Sequence, residues 1–317
     1  AINILLMDRA FSSGIILKRA IFMPTIQVKG QSISSVSVED NRPTNDKAKV
    51  PLILSFPHSG NQYPDDFGTN PDLPFEILDF PNDKYVDELY KARSELALLS
   101  IHANFPRTYI DVNRHQHDID VDMLSNGEDW YGRIHPTGAK TGTTLFWSKT
   151  KEVFNIYARE LNNAELKKRL ARCFVPYHQL MTYHIEKAYK NHGKVFILDC
   201  HSMTQFDSKL RGNKERPEID ISNRSGQSCS PQFTEYVADT YSKLGYDVKI
   251  NGRFIGGEIV LRYGWPEINQ HIIQIEIRRD LYMDEDSREK KERFEKMQQD
   301  CGAALADIKT FVQQIVN

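Results

Sequence analysis

Four cysteines in 317 residues (Cys173, Cys200, Cys229 and Cys301), with no CxxC pair among them, are too few for a disulfide framework. Their spacing fits a protein of a reducing compartment, and the cytoplasm is the expected location. No window approaches the roughly 18 uninterrupted apolar residues that a membrane helix requires, so no membrane partner is expected. An excess charge of one sign is also missing: the formal net charge is -2, which implies no nucleic-acid or other polyanion surface. Internal repeats and low-complexity segments are absent. What remains is ordinary globular composition, 40% hydrophobic and 26% charged, long enough for one large core or two modest ones.

Residues 1–22, "AINILLMDRAFSSGIILKRAIF", are semi-apolar but interrupted by Asp8, Arg9, Lys18 and Arg19. A secretory signal carries its positive charge ahead of an unbroken apolar stretch, and this segment does not. An organellar presequence, an artificial remnant or an extra helix all fit it. The polar stretch 40–49 reads as a loop, so residues 1–49 are set apart as an N-terminal extension and 50–317 as one catalytic domain.

Within that domain "VPLILSF" (50–56), "KVFILDC" (194–200) and "HIIQIEI" (271–277) read as strands, and "RTYIDVN" (107–113) alternates like one. Tyr85, Leu89, Ala92, Leu96 and Leu99 form a stripe that predicts a helix over 83–99. A helix-rich stretch spans about 150–191, broken or restarted at Pro176. A charged helix closes the chain over about 285–315, with "DEDSREKKERFEK" (284–296) as its solvated face. Strands alternating with helices, two of them nearly all apolar, predict an α/β fold. Its central sheet is mixed and mostly parallel, with helices on both faces.

In such folds ligands collect beyond the carboxyl ends of the strands. Those ends here carry His58 and Gly60, then Asp111, Asn113 and Arg114, then Asp199 and His201, and finally Glu276. Each alone has a plain reading: Asp199 and Ser202 could cap a strand, and Glu276 could pair with Arg278 on the same strand face. Four strand ends supplying two histidines, an arginine and a carboxylate are harder to attribute to packing. Two neutral imidazoles and a carboxylate make an open His₂-carboxylate zinc site, where water loses its proton near pKa ~7. Glu276 fits the base that moves the proton, and Arg107 and Arg114 fit clamps for an oxyanion or a substrate carboxylate. Asp199 could orient an imidazole from behind. Cys200 fits a small buried residue.

The third ligand is the missing element. Zinc hydrolases with a His-x-x-Glu loop place a glutamate where "HSGN" has Asn61. Asp83 and Asp87 of "NDKYVDELY" are the nearest substitutes. Asp83 could equally be a helix N-cap and Asp87 a solvated acid. Asp83 is preferred, because a helix start is anchored next to the loop before it, and Asp87 stands as the alternate. His₂-carboxylate sites also accept manganese or iron.

Taken in order from about residue 50 to 286, "PHSGNQYP", "NDKYVDELY", "FPRTYIDVNR", "PYH", "LDCHSM", "ISNRSGQSC" and "QIEIRRDLYMDE" resemble the N-formylglutamate amidohydrolase family. The resemblance implies a zinc-carboxypeptidase-like (phosphorylase/hydrolase-like) fold and a zinc-dependent hydrolase. Its substrate would be a small N-acyl acidic amino acid, N-formyl-L-glutamate yielding formate and glutamate, as in histidine degradation. It assigns Arg107 to the oxyanion, Asn113 and Arg114 to the substrate, and Glu276 to the base. His178, Arg224 and Arg262 become further substrate-binding candidates, although a structural histidine, a plain turn and a surface ion pair explain them as well. Other deacylases or a carboxypeptidase on this scaffold, or a silent metal- or amino-acid-binding protein, share the same residue types.

Overall fold

The computed structural model describes residues 24–46, 49–125, 130, 141–151, 153–209 and 212–316. Residues 1–22 of the expected extension lie outside them. In chain order the strands are β1 (Thr25–Val28), β2 (Gln31–Ser34), β3 (Val36–Asp40), β4 (Leu52–Phe56), β5 (Leu99–Ala103), β6 (Lys149–Thr150), β7 (Phe154–Asn155), β8 (Val195–Met203), β9 (Ile219–Ser222), β10 (Val248–Ile250) and β11 (Gln270–Arg278). The helices are α1 (Phe75–Asp79), α2 (Val86–Leu89), α3 (Asn163–Arg169), α4 (Val175–His192), α5 (Pro231–Lys243), α6 (Glu258–Tyr263) and α7 (Phe294–Val316). Among the described residues, no helix is long and apolar enough to cross a membrane.

Seven strands form one sheet in the order β10-β9-β11-β8-β4-β5-β3. The central β11, β8, β4 and β5 run parallel, while β9 is antiparallel to β11 and β3 to β5. This is the mixed, mostly parallel sheet expected. Both faces are covered: α4 packs its Tyr177, Leu180, Met181 and Ile185 on one, and α5 and α7 pack Phe233, Val237, Leu305 and Ile308 on the other. Double coverage is why β4 and β8 are buried at every residue and read as apolar runs. The edge strand β3 draws residues 36–40 into the sheet, so part of the segment set apart as an extension pairs with β5.

Two expected elements take other forms. The helix over 83–99 is broken: Tyr85 and Ala97 adopt left-handed φ values of 70° and 51°. Arg93 Nη1 donates to the Asp87 and Tyr90 carbonyls, ending α2 after one turn. Leu99 belongs instead to β5, because its register beside Ile53 fills the sheet between β4 and β3. Residues 107–113 are a buried turn rather than a strand. Tyr109 N–H donates to the Pro106 carbonyl and Asp111 N–H to that of Leu145, so no ladder forms. Its alternation reflects apolar side chains anchoring a loop. Around Pro176 the helical stretch persists: α3 passes through a π-helical turn (Leu170–Phe174) into α4, and the Arg172 carbonyl, four residues before the proline, accepts instead from Ser35 Oγ.

Candidate active site

One face of the three central strands changes character along its length. Ile53, Ile197 and Ile272 are apolar and buried, and two positions further on come Ser55, Asp199 and Gln274, then His201 and Glu276. The parallel register places Ser55 and Gln274 opposite Asp199, and Glu276 opposite His201. An unpaired buried amide or carboxyl costs several kcal/mol, more than the ~1.5–3 kcal/mol that one buried Ile contributes. Each of these groups is therefore paired. Asp199 Oδ1 accepts from Ser55 Oγ at 2.7 Å, and Ser55 meets the Tyr177 hydroxyl at 2.7 Å. Asp199 Oδ2 lies 2.8 Å from His201 Nε2. Gln274 accepts from the Gly257 N–H at 2.9 Å and donates to Glu276 Oε1 at 2.7 Å.

His58 follows β4 in a tight loop. A Cβ at Gly60 would lie 2.4 Å from the Ala103 carbonyl oxygen and 2.6 Å from that of Phe105, so only glycine lets the loop press on the end of β5. Gly60→Ala is expected to lower stability by about 1–3 kcal/mol or more and to displace His58. A denaturation midpoint equal to that of the wild type would refute this.

Asp83 completes the cluster. His58 Nδ1 and His201 Nδ1 are 3.1 Å apart, and Asp83 Oδ2 lies 3.3 and 3.1 Å from them. All three residues are buried. Each imidazole turns its Nε2 to a carboxylate, His58 to Asp111 at 2.7 Å and His201 to Asp199 at 2.8 Å. A carboxylate accepts, so it draws the N–H to Nε2 and leaves a lone pair on Nδ1. Two lone pairs and a carboxylate oxygen then face one point. These two imidazoles and one carboxylate are compatible with a metal ion. The same carboxylates also favour a proton at this point, which a bound cation would displace. Burial opposes charge on His201, but Asp199 and Asp83 outweigh it and raise its pKa well above the usual value. Burial likewise opposes charge on Asp83, but hydrogen bonds and charge from the two histidines hold its carboxyl well below the ordinary range.

Asp87 stays out of the cluster, one turn further on in α2, its pKa raised by burial. Asp83 is not a helix cap: the residue before α2 is Tyr85, and Asp83 Oδ1 accepts instead from Ser202 Oγ at 3.0 Å and Arg279 Nη2 at 3.1 Å. Glu276 is buried without Arg278, which pairs with Asp280 and Glu215. Burial raises its pKa to about 7, against the opposing charges of His201 and Arg107.

The remaining candidates separate. Arg107 donates Nε and Nη2 to Asp111 Oδ2 and lies over the Trp147 ring at 4.8 Å, leaving Nη1 without a protein partner among the described residues. Arg114 donates to the Thr143 and Asn113 carbonyls. Asn113 accepts the Ile259 N–H at 2.8 Å, fastening the start of α6. Arg224 sits in a left-handed turn after β9, its buried Nε unpartnered among the described residues. Two candidates are occupied by the fold. His178 bonds Tyr263 Oη and the Val112 carbonyl with its two ring nitrogens, and Arg262 pairs with Glu258 at 2.7 Å. Cys200 is fully buried. Sequence reasoning missed Arg279 on Asp83 and the Asp111 bond to His58. The paired arginines of "EIRRD" and the aspartate of "YIDVNR" were their only signals.

Comparison with known proteins gives a consistent set of likenesses. The sequence pattern of the family described as N-formylglutamate amidohydrolase matches residues 50–283. The N-formylglutamate deformylase of Pseudomonas putida is 26% identical over 248 residues, 75% of this chain and 84% of that protein. The enzyme of the same name from Pseudomonas aeruginosa is 26% identical over 252 residues with the same coverage. Among solved structures, N-formylglutamate amidohydrolase from Ralstonia eutropha JMP134 superposes with a TM-score of 0.83 at 32% identity, over 90% of this chain and 100% of that one. A gene product of Agrobacterium tumefaciens, 19% identical with a TM-score of 0.61, shares the fold over 86% of this chain and 96% of its own.

Proposed function

The chain belongs to the N-formylglutamate amidohydrolase family and is a hydrolase acting on an amide; on that premise we propose that it cleaves N-formyl-L-glutamate, or a close N-acyl acidic amino acid, to the acyl acid and the free amino acid. The observation that carries this reading is the convergence of His58 Nδ1, His201 Nδ1 and Asp83 Oδ2 beside buried Glu276. These three residues would hold zinc, or another divalent cation. Bound there, the cation supplies Lewis acidity and lowers the pKa of water toward ~7.

The chain's own residues supply the rest. Glu276, with its pKa near 7 and Oε2 without a protein partner among the described residues, takes a proton from the attacking water and hands it to the leaving amine. Arg107, rigid between Asp111 and Trp147, offers Nη1 to the developing oxyanion. Arg114 and Arg224 read substrate carboxylates, and Asn113 sets the wall against Gly257. The cytoplasm is the compartment we assign, where the four buried free thiols stay reduced, with histidine degradation as the setting.

Metal analysis of the purified protein, joined to a panel of N-acyl glutamates and aspartates, tests the proposal. N-formylglutamate should be the best substrate, with turnover lost to a chelator and restored by zinc. Full turnover after metal removal, or a preference for peptide C-termini, would overturn it. Arg114→Lys is expected to raise KM at least several-fold while metal content stays stoichiometric, because an ammonium cannot reproduce the guanidinium fork. An unchanged KM for an acidic substrate would remove Arg114 from substrate binding.

A further inference from the structure

Ahead of Asp83 come the last residue of α1, Asp79, and the three that follow it, and every one of their carbonyls is claimed by an arginine. Arg279 donates Nη1 to the Phe80 carbonyl at 2.8 Å and Nη2 to that of Pro81 at 3.3 Å and to Asp83 Oδ1 at 3.1 Å. Its Nε reaches Ser202 Oγ at 3.0 Å, and Ser202 in turn donates to Asp83 Oδ1. Arg288 donates Nη2 to the Asp79 and Asn82 carbonyls, at 3.2 and 3.0 Å, and to Asp79 Oδ2 at 3.3 Å. Both guanidinium groups lie against the Phe80 ring, at 5.7 and 5.9 Å. They are 4% and 3% exposed.

Burying two guanidinium groups is costly unless their geometry is needed. Arg288 comes from the charge run read as a solvated helix face. The chain is not helical there: Arg288 has a left-handed φ of 62° and turns inward. Its own carbonyl accepts from Lys84 Nζ at 2.9 Å and from the Tyr85 hydroxyl, so Arg288 holds the chain on both sides of Asp83. Asn82 also accepts the Arg107 N–H, tying the same loop to the oxyanion arginine.

We propose that Arg279 and Arg288 are positioning residues for the metal site. Together they fix the 79–83 loop and occupy Asp83 Oδ1, so that Asp83 presents only Oδ2 to the cation shared with His58 and His201. This rests on the reading of Asp83 as a ligand. Arg288 makes no bond to Asp83 and acts through the loop alone, which makes it the informative position.

The test is zinc affinity of the purified full chain, measured by competition with a chromophoric chelator, alongside the melting midpoint of the metal-free protein. Arg288→Met is expected to weaken zinc binding about 10–100-fold, the range for groups that orient a ligand, with Arg288→Lys recovering part of it. Asp83→Asn should weaken binding further, and the double variant Asp83→Asn with Arg288→Met should bind no worse than Asp83→Asn alone. Wild-type zinc affinity in folded Arg288→Met, or additive losses in the double variant, would overturn the clamp while leaving the ligand assignment standing. Wild-type affinity in Asp83→Asn would overturn the ligand assignment and the clamp with it. Where Arg288→Met does not fold, Arg288→Lys and Arg279→Lys carry the same comparison with Asp83→Asn.

Discussion

Glu276→Gln should leave a folded, metal-loaded protein whose turnover has fallen at least ~100-fold, the lower end of what a positioned general base contributes. Glutamine keeps the shape of the side chain and the hydrogen bond from Gln274, so fold and metal content are preserved; only the proton acceptor is lost. The pH profile gives an independent check. Burial places the Glu276 pKa at about 7, and a cation at the neighbouring cluster stabilises the carboxylate and draws the value down. The rising limb of kcat should therefore fall at or below pH 7 in the wild type and vanish in the variant. Nearly normal turnover in the folded fraction, with reduced stability, would make Glu276 a structural acid.

The second large effect is on the metal itself. His201→Ala should lose bound metal and activity together, and Asp83→Asn should lower occupancy strongly. Asp87→Asn should leave occupancy unchanged, because Asp87 lies outside the cluster. Removing one of three ligands leaves two neutral imidazoles, or one imidazole and a carboxylate, too few for a structural hold on zinc. Metal content measured after dialysis decides it. Stoichiometric zinc with wild-type turnover in His201→Ala would dismiss the site, and a loss in Asp87→Asn greater than in Asp83→Asn would move the ligand into α2.

The residues that stand out most in the sequence lie on β8 and β11 or just beyond β4. These strands are buried on both faces, so an abrupt change from isoleucine to Asp199, His201, Gln274 or Glu276 stands out against an apolar run. Where burial comes from a loop, the same signal misleads. Ile110 and Val112 alternate with polar neighbours as in a strand, yet they anchor a turn. Leu96 and Leu99 complete a helical stripe, yet Leu99 starts β5. Helical spacing alone could not see the left-handed Tyr85, which separates Asp83 from α2 and Asp87. Arg288 was hidden differently. Surrounded by lysines and glutamates, it shares the composition of a solvated surface, and only long-range pairing with the Asp79–Asn82 carbonyls reveals it. The short β9 and β10 carry too few residues to establish a period.

The sheet order has a consequence for how the protein is made. β4 pairs with β8, and the Ser55–Asp199 bond that joins them spans 144 residues of chain. At ribosomal rates of about 5–20 residues per second, β4 waits on the order of ten seconds for that neighbour. Throughout the wait an apolar strand has one open edge, the condition under which nascent chains aggregate or engage chaperones. Pairing over such separations also slows refolding, since loop closure precedes the contacts that reward it. His58 and Asp83 are synthesised long before His201, so the three cannot meet until β8 has been made. The meeting of these three side chains therefore waits for the centre of the sheet to close.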